Sequence, residues 1–343
     1  MAELAGLSWE KVEQTLLEAP SSEAARAPAP LRIRNIYTSH SIDNTFESCP
    51  RKFEFLNFFD RRPPRDSGHA ADVGTALHEG WQAFLIALAE GKSKGEAMQA
   101  GYLAVLIHYP WHSEAEQSTS VRSLENTVTM LREIMRRDEW DHYELIQIDG
   151  RWAVEVPFHI IHESLGTFEF AATGETCQFV TQGKIDAILR HKITGRVACW
   201  DAKTTITPED LIRSEYTWSG QQVGYGQVLQ ALMGESLQSF DVYYLVARFS
   251  ASDPPHVQVI PFEKSEENVE DYWLDKIDRL QRMQRYATQG RFPRRNGSCN
   301  AYQHECSCFN ICPSRDTETI LMWFQTIGAV EQQGYEPWVT LEL

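Results

Sequence analysis

The residues of this chain whose types and spacing could do chemistry are Asp186 and the triplet Asp201, Ala202, Lys203. They lie in two short β-forming runs, Gly183 to Leu189 and Val197 to Lys203, separated by a turn around Lys192 to Gly195. A turn of two residues, Ile193 and Thr194, or of the symmetric four, sets Asp186 directly opposite Asp201. Side chains alternate faces along a strand. The same register therefore gathers Ile185, Ala187, Leu189, Ala198, Trp200 and Ala202 on one apolar face and leaves Asp186, Asp201, Lys184 and Lys203 on the other. A slip of one residue would drive an aspartate into the apolar layer. Directly opposed strand positions bring Cβ atoms to about 5 Å, where like charges repel. A cation between the carboxylates removes that penalty, and oxygen ligands suit Mg²⁺ or Mn²⁺.

Asp201 and Lys203 are two residues apart on one strand and point the same way, with the carbonyl of Ala202 between them. A carboxylate ligand, a backbone oxygen ligand and an ammonium beside an attacking water are what phosphodiester hydrolysis requires. Gln221 and Tyr225 follow, four residues apart and so on one face of the helix expected there. Read in order, His78, Asp186, Asp201 with Lys203, and Gln221 with Tyr225 resemble the PD-(D/E)xK nuclease superfamily, in particular its RecB-like exonuclease branch. In that branch a helical histidine, an aspartate, an acidic-x-lysine strand and a Gln-x-x-x-Tyr helix succeed one another. The resemblance implies that His78, Asp186 and Asp201 bind the divalent metal, that Lys203 works on the water, and that Gln221 and Tyr225 position DNA or the lysine. It covers residues 37 to 313 and implies a metal-dependent DNA exonuclease acting on single strands or ended duplex, in recombination, repair or phage or CRISPR DNA processing. A helicase or recombination partner belongs to the same expectation. The alternative is an inactive relative that binds DNA or a partner without cutting.

Four of the seven cysteines, Cys299, Cys306, Cys308 and Cys312, fall within fourteen residues, and Cys49 stands before a basic, aromatic run. In a cytosolic protein such density reads as metal binding rather than disulfides. The resemblance implies a [4Fe-4S] cluster on Cys49, Cys299, Cys306 and Cys312, with Cys308 able to replace Cys306. Four thiolates would equally satisfy zinc. Either centre would fix residue 49 beside residues near 300. Two basic clusters, Arg51, Lys52, Arg61, Arg62 and Arg65, and Arg279, Arg282, Arg285, Arg291, Arg294 and Arg295, would then form one surface near the site. Cys177 and Cys199 read as buried structural residues.

The elements that must position these groups follow from the pattern of the chain. Residues 1 to 35 hold a short acidic helix candidate, Ser8 to Glu18, and a proline-rich linker, expected to be a mobile arm. Residues 36 to 313 read as one α/β domain, a restriction-endonuclease-like mixed central sheet flanked by helices, with a helical insertion over about 93 to 143 and a cysteine cap built from about 46 to 55 and 297 to 313. A helix start is expected over Ser39 to Asn57 (capped by Ser41 or Asn44), and helices from Gly74 to Ala89, within Ser93 to Arg137, from Ser219 to Met233 and from Glu266 to Ala287. Strands are expected at Trp152 to Ile160, Phe168 to Ala171, Gln178 to Arg190, Val197 to Thr204, Phe240 to Ala247 and Val257 to Phe262. Residues 314 to 343 form a tail without assignment. A net charge of −16 argues against a generic nucleic-acid coat, because sequence-independent affinity for phosphate comes from Lys and Arg, and leaves room for a local basic track. The chain has no run of about 18 uninterrupted apolar residues, and its amino end lacks a basic start or cleavage pattern. A cytoplasmic protein without a membrane span is expected.

Overall fold

The computed structural model of the protein describes residues 32–63, 69–111, 121–207, 209–217, 220–234, 239–250, 256–299, 305–328 and 334–343. Residues 1–31 of the expected amino-terminal arm, and Arg65, lie outside them, and residues Arg34–Leu343, which include the arm's last two expected residues, make one compact unit.

Strand β1 (Arg34–Thr38) leads into α1 (His40–Ser48), which starts where Ser39 Oγ accepts from the Ile42 amide, so the cap is Ser39 and not Ser41 or Asn44. The helix stops at Cys49, whose extended backbone lets Pro50 open the next segment, α2 (Pro50–Phe53) and a π-helical turn, Glu54–Phe58. Helices α3 (His69–Ala89), α4 (Lys94–His108) and α5 (Leu124–Arg136) follow, then the short α6 (Glu139–His142). A capping box of Ser93 and Glu96 begins α4. Helices α3 and α4 cross at glycines: a Cβ on Gly101 would lie 2.8 Å from the Gly80 carbonyl oxygen.

Strands β2 (Tyr143–Leu145), β3 (Gln147–Ile148), β4 (Arg151–Trp152), β5 (Val154–Ile161) and β6 (Phe168–Phe170) precede the long β7 (Glu175–His191) and β8 (Val197–Thr205). The chain then crosses through α7 (Glu209–Thr217), α8 (Gly220–Val223) and α9 (Tyr225–Met233) to β9 (Ser239–Arg248) and β10 (His256–Ser265). The single helix expected over 219 to 233 is thus two, parted by a turn at Gly224. Helix α10 (Glu266–Thr288), opened by a Ser265 and Asn268 capping box, α11 (Thr317–Thr326) and β11 (Val339–Glu342) complete the described chain.

The main sheet runs β10-β9-β8-β7-β5-β11, with β1, β2 and β6 also paired to β7. Strand β7 is its spine: it is antiparallel to β5 and β8, whereas β8 and β9 are parallel because a helical crossover joins them. One core lies between the sheet and α3 to α5 and includes Trp81, Phe84, Ala198 and Trp200. A second lies on the opposite face beneath α7 to α10, with Val228, Leu229, Ile185 and Cys199. The third is rich in phenylalanine and joins α1, α2, the start of β7, the end of α10, the cysteine segment and α11. Residues beyond 313, without assignment from sequence, enter this core through Ile320 and Phe324 and extend the sheet through β11. Among the described residues no helix is long and apolar enough to cross a membrane.

Candidate active site

The hairpin carrying the acidic residues has the expected register. Ala187 pairs with Trp200 and Leu189 with Ala198, and the His191 amide donates to the Arg196 carbonyl across a loop of the symmetric four residues. Gly195 closes that loop at φ +72°, where a Cβ is disfavoured. One step further along the ladder come Asp186 and Asp201, and there β7 parts from β8. Asp186 Oδ2 still accepts from the Ala202 amide at 3.1 Å.

The face assignment needs one correction. Ala187, Leu189, Ala198, Trp200 and Ala202 share the first core as expected, but Ile185 lies in the second. The cause is a change of parity at Asp186. Opposite it on β5, Glu155 has φ +46°, and the pairs on either side of it, Val154 with Ala187 and Val156 with Ile185, face different cores. A left-handed backbone at a non-glycine residue costs about 1–3 kcal/mol and is tolerated where the surroundings impose it.

That irregularity collects ligand atoms. One atom each from His78, Glu155 and Asp186 fall within 4.8 Å of one another. His78, from α3, contacts the Ala202 carbonyl through Nε2 and lies 3.4 Å from Asp186 Oδ2 through Nδ1. Glu155 accepts from Gln82 Nε2 at 2.9 Å and meets Lys184 Nζ at 3.1 Å. Sequence reading missed Glu155; the antiparallel pairing of its strand with β7, which sets it across from Asp186, was the signal that could have found it.

Asp201 is fully buried and outside that trio. Neither carboxylate oxygen has a well-aligned hydrogen bond, although Lys203 Nζ approaches Oδ2 to 2.7 Å. Burial, and then Asp201, push the Asp186 carboxyl up to about 7. Burial works against the Lys203 ammonium, but Asp201 and Asp186 outweigh it and hold the lysine protonated. Buried acidic groups with unmet acceptor capacity, a histidine and a backbone carbonyl are a donor set that fits a hard divalent cation.

Gln221 and Tyr225 remain neighbours despite the break between α8 and α9: Gln221 Nε2 donates to the Tyr225 hydroxyl at 3.1 Å, and that hydroxyl donates to the Lys184 carbonyl at 2.9 Å. They therefore hold β7 two residues before Asp186. The tyrosine stays a neutral donor, because burial and then Asp201 and Asp186 raise its pKa far above the ordinary phenol value.

The sequence profile of the PD-(D/E)XK nuclease superfamily matches residues 37–313. The chain belongs to that superfamily. Among solved structures it is similar to a "Putative exonuclease" from Eubacterium rectale, at 14% identity and a TM-score of 0.43, over 80% of this chain and 88% of the other. A second similar structure, SSO0001, also has 14% identity, with a TM-score of 0.23 over 71% of this chain and 85% of the other. No curated protein sequence matches. The mixed sheet flanked by helices is the restriction-endonuclease-like fold of PD-(D/E)XK nucleases.

In this PD-(D/E)XK nuclease the acidic group opens into a cleft of about 500 Å³. One side is formed by Glu155, Gln182 and Lys184, another by the start of α1 with Tyr272 and Trp273 of α10, and Gln221 with Tyr225 line it as well. Arg62 reaches it from the segment after α2.

The nuclease brings Cys49 beside the carboxyl-terminal cysteine segment. The Arg51 amide donates to the Pro293 carbonyl, Ser298 Oγ to the Ser48 carbonyl, and Arg295 to the Glu47 carbonyl. The Cys306 amide donates to the Cys299 carbonyl at 2.8 Å. Burial pushes the Cys312 thiol up, with Cys49 and Cys299 adding to the effect and Arg294 and Arg51 opposing it. Cys308 is buried in the phenylalanine-rich core, against which Cys306 and Cys312 pack partly buried. Cys199 lies in the second core; burial, Asp201 and Asp186 keep its thiol protonated.

Part of each basic cluster is spent inside the protein. Arg51 is buried, paired with Glu54 and bonded to the Ser314 carbonyl. Arg279 pairs with Asp43, Glu47 and Asp275, and Arg282 with Glu47 and Asp278. Arg279 and Arg282 thereby fasten α10 to α1.

Proposed function

We propose that this nuclease is a Mg²⁺- or Mn²⁺-dependent DNA exonuclease of the RecB-like branch, acting in the cytoplasm in DNA recombination, repair or processing. The observation that carries the reading is the junction of β5, β7 and β8, where His78, Glu155 and Asp186 gather ligand atoms, His78 touches the Ala202 carbonyl, and buried Asp201 adjoins with Lys203. His78, Asp186, Asp201 and the Ala202 carbonyl would hold the ion, with Glu155 added to the expected set. Once bound, a divalent ion withdraws charge from the phosphoryl oxygens and makes water a better nucleophile at neutral pH. Lys203, kept protonated by its aspartates, stabilises charge that develops on the phosphate and orients the attacking oxygen. Gln221 and Tyr225 hold the β7 backbone so that Asp186 keeps its place.

The same reading assigns Cys49, Cys299, Cys306 and Cys312 to a [4Fe-4S] cluster with a structural role. The Cys308 thiol lies against that of Cys306, so Cys308 is the alternate for the same ligand position.

The test is degradation of linear and circular, single- and double-stranded DNA with the metal present or chelated. Metal-dependent loss of linear DNA is expected, abolished by Asp201→Ala or Lys203→Ala in proteins that keep their melting temperature. Full cutting by the Asp201 variant overturns the assignment.

A further inference from the structure

The carboxyl-terminal segment, outside the matched region, reaches the cleft. Gly334 lies against Tyr37 so closely that a Cβ there would sit 2.5 Å from the tyrosine ring. The next amide, Tyr335 N–H, donates to Oε1 of the buried Gln182 at 3.2 Å, and the Trp338 amide donates to the Pro157 carbonyl at 2.8 Å as the chain enters β11. The backbone on both sides of Tyr335 is thereby fixed to β1, β5 and β7.

The Tyr335 side chain lines the cleft, yet the residue is 43% exposed. Lys184 Nζ lies 4.7 Å from its ring centroid and, at 3.1 Å, from Glu155 Oε2. An aromatic ring, an ammonium and the acidic group thus follow one another along the cleft wall within the reach of a single nucleotide. A ring held by its backbone and left open presents a planar apolar surface at little entropic cost on binding.

We propose that Tyr335 is a stacking platform for the nucleobase adjoining the scissile phosphate, and that the substrate enters as an unpaired strand. The inference rests on the nuclease reading above and adds to it the kind of end that is bound. A base in a duplex is stacked on its neighbours and cannot offer its face to the tyrosine, whereas an unpaired base can, and such contacts tolerate any sequence. Lys184, between ring and carboxylates, suits the phosphate of the same nucleotide.

The experiment compares wild type, Tyr335→Ala and Tyr335→Trp on a linear single-stranded DNA oligonucleotide and on the same oligonucleotide with an abasic terminal nucleotide, with Mn²⁺. Tyr335→Ala should raise KM on the intact strand roughly ten- to hundredfold, the usual range for losing one base stack. Tyr335→Trp should keep it near wild type. The abasic strand should cost wild type a similar factor and cost Tyr335→Ala little more. An unchanged KM for Tyr335→Ala, or an equal abasic penalty in that variant, would overturn the stacking role while wild-type cutting upheld the nuclease. A wild type inert towards every DNA tested would instead sink the nuclease reading and this inference with it.

Discussion

At the scale of single residues, the site's chemistry is a problem of negative charge brought together before any cation arrives. Glu155 is the residue that changes the expected picture, because its left-handed backbone places a third carboxylate against His78 and Asp186. Glu155→Gln keeps the shape and removes the charge. We expect it to raise the Mn²⁺ concentration for half-maximal cutting by roughly ten- to hundredfold, as loss of a partner at a metal site commonly does, with recovery at high metal. Titration of activity against Mn²⁺ decides this; an unaltered curve removes Glu155 from the ligand set. Asp186 sets the pH dependence. Its carboxyl titrates near 7 instead of the ordinary 3.8, so protons compete with the cation below neutrality. Calorimetric Mn²⁺ affinity should fall about tenfold per pH unit below 7, and flat affinity from pH 8 to pH 6 would contradict it. The sign for stability is opposite. A raised carboxyl pKa favours the protonated native form, so in metal-free protein the contribution is complete below 3.8 and lost as pH rises through 7. Metal-free protein should therefore melt lower at pH 8 than at pH 5, and Mn²⁺ should restore the difference.

At the scale of elements, what was legible in the sequence depended on how local its cause was. The β7–β8 register followed from period-two patterning and a short turn, so the placement of Asp186 and Asp201 at the end of one ladder could be read directly. The position of Ile185 could not, because the parity change at Asp186 is imposed from β5. The break in the crossover at Gly224 was missed for a similar reason: a Cβ there would lie 2.8 Å from the Tyr272 ring, a contact supplied by distant α10. The same distance limit hid how α1 is held. Its first turn lines the cleft and Cys49 follows its last, while Asp43 between them meets fully buried Lys276 at 2.7 Å. Lys276 also bonds Thr38, whose hydroxyl reaches cleft-lining Thr181 at 3.0 Å. Asp43→Asn would strand the ammonium in the core and should cost about 3–5 kcal/mol by chemical denaturation. Adding Lys276→Met should return most of that loss. A small effect of the single change, or no recovery in the double variant, would mean that solvent reaches Lys276.

At the scale of the whole molecule, three cores divide the work. Two sandwich the sheet and fix the acidic junction, and the third welds the amino-terminal cysteine segment to the carboxyl-terminal one. The tail could not be placed from sequence because its anchors are remote along the chain: the Phe324 ring packs 5.9 Å from that of Phe55. A metal–sulfur centre at Cys49, Cys299, Cys306 and Cys312 would cross-link positions about 250 residues apart. By chain entropy alone, closing such a loop is worth about 5 kcal/mol, as much as many domains' entire stability. The start of α1, which forms part of the cleft, would then depend on a centre at its other end, so loss of the cluster should lower both melting temperature and DNA affinity. Cys306→Ala should give a colourless, less stable protein. Cys308→Ala, which removes a buried thiol from the phenylalanine-rich core, should keep the colour and cost only about 1–2 kcal/mol of packing. Visible absorption with iron, sulfide and zinc analysis of anaerobically purified protein separates the cases. A brown Cys306 variant with a bleached Cys308 variant would exchange the two ligands, and stoichiometric zinc in colourless wild type would replace the cluster by a tetrahedral thiolate site.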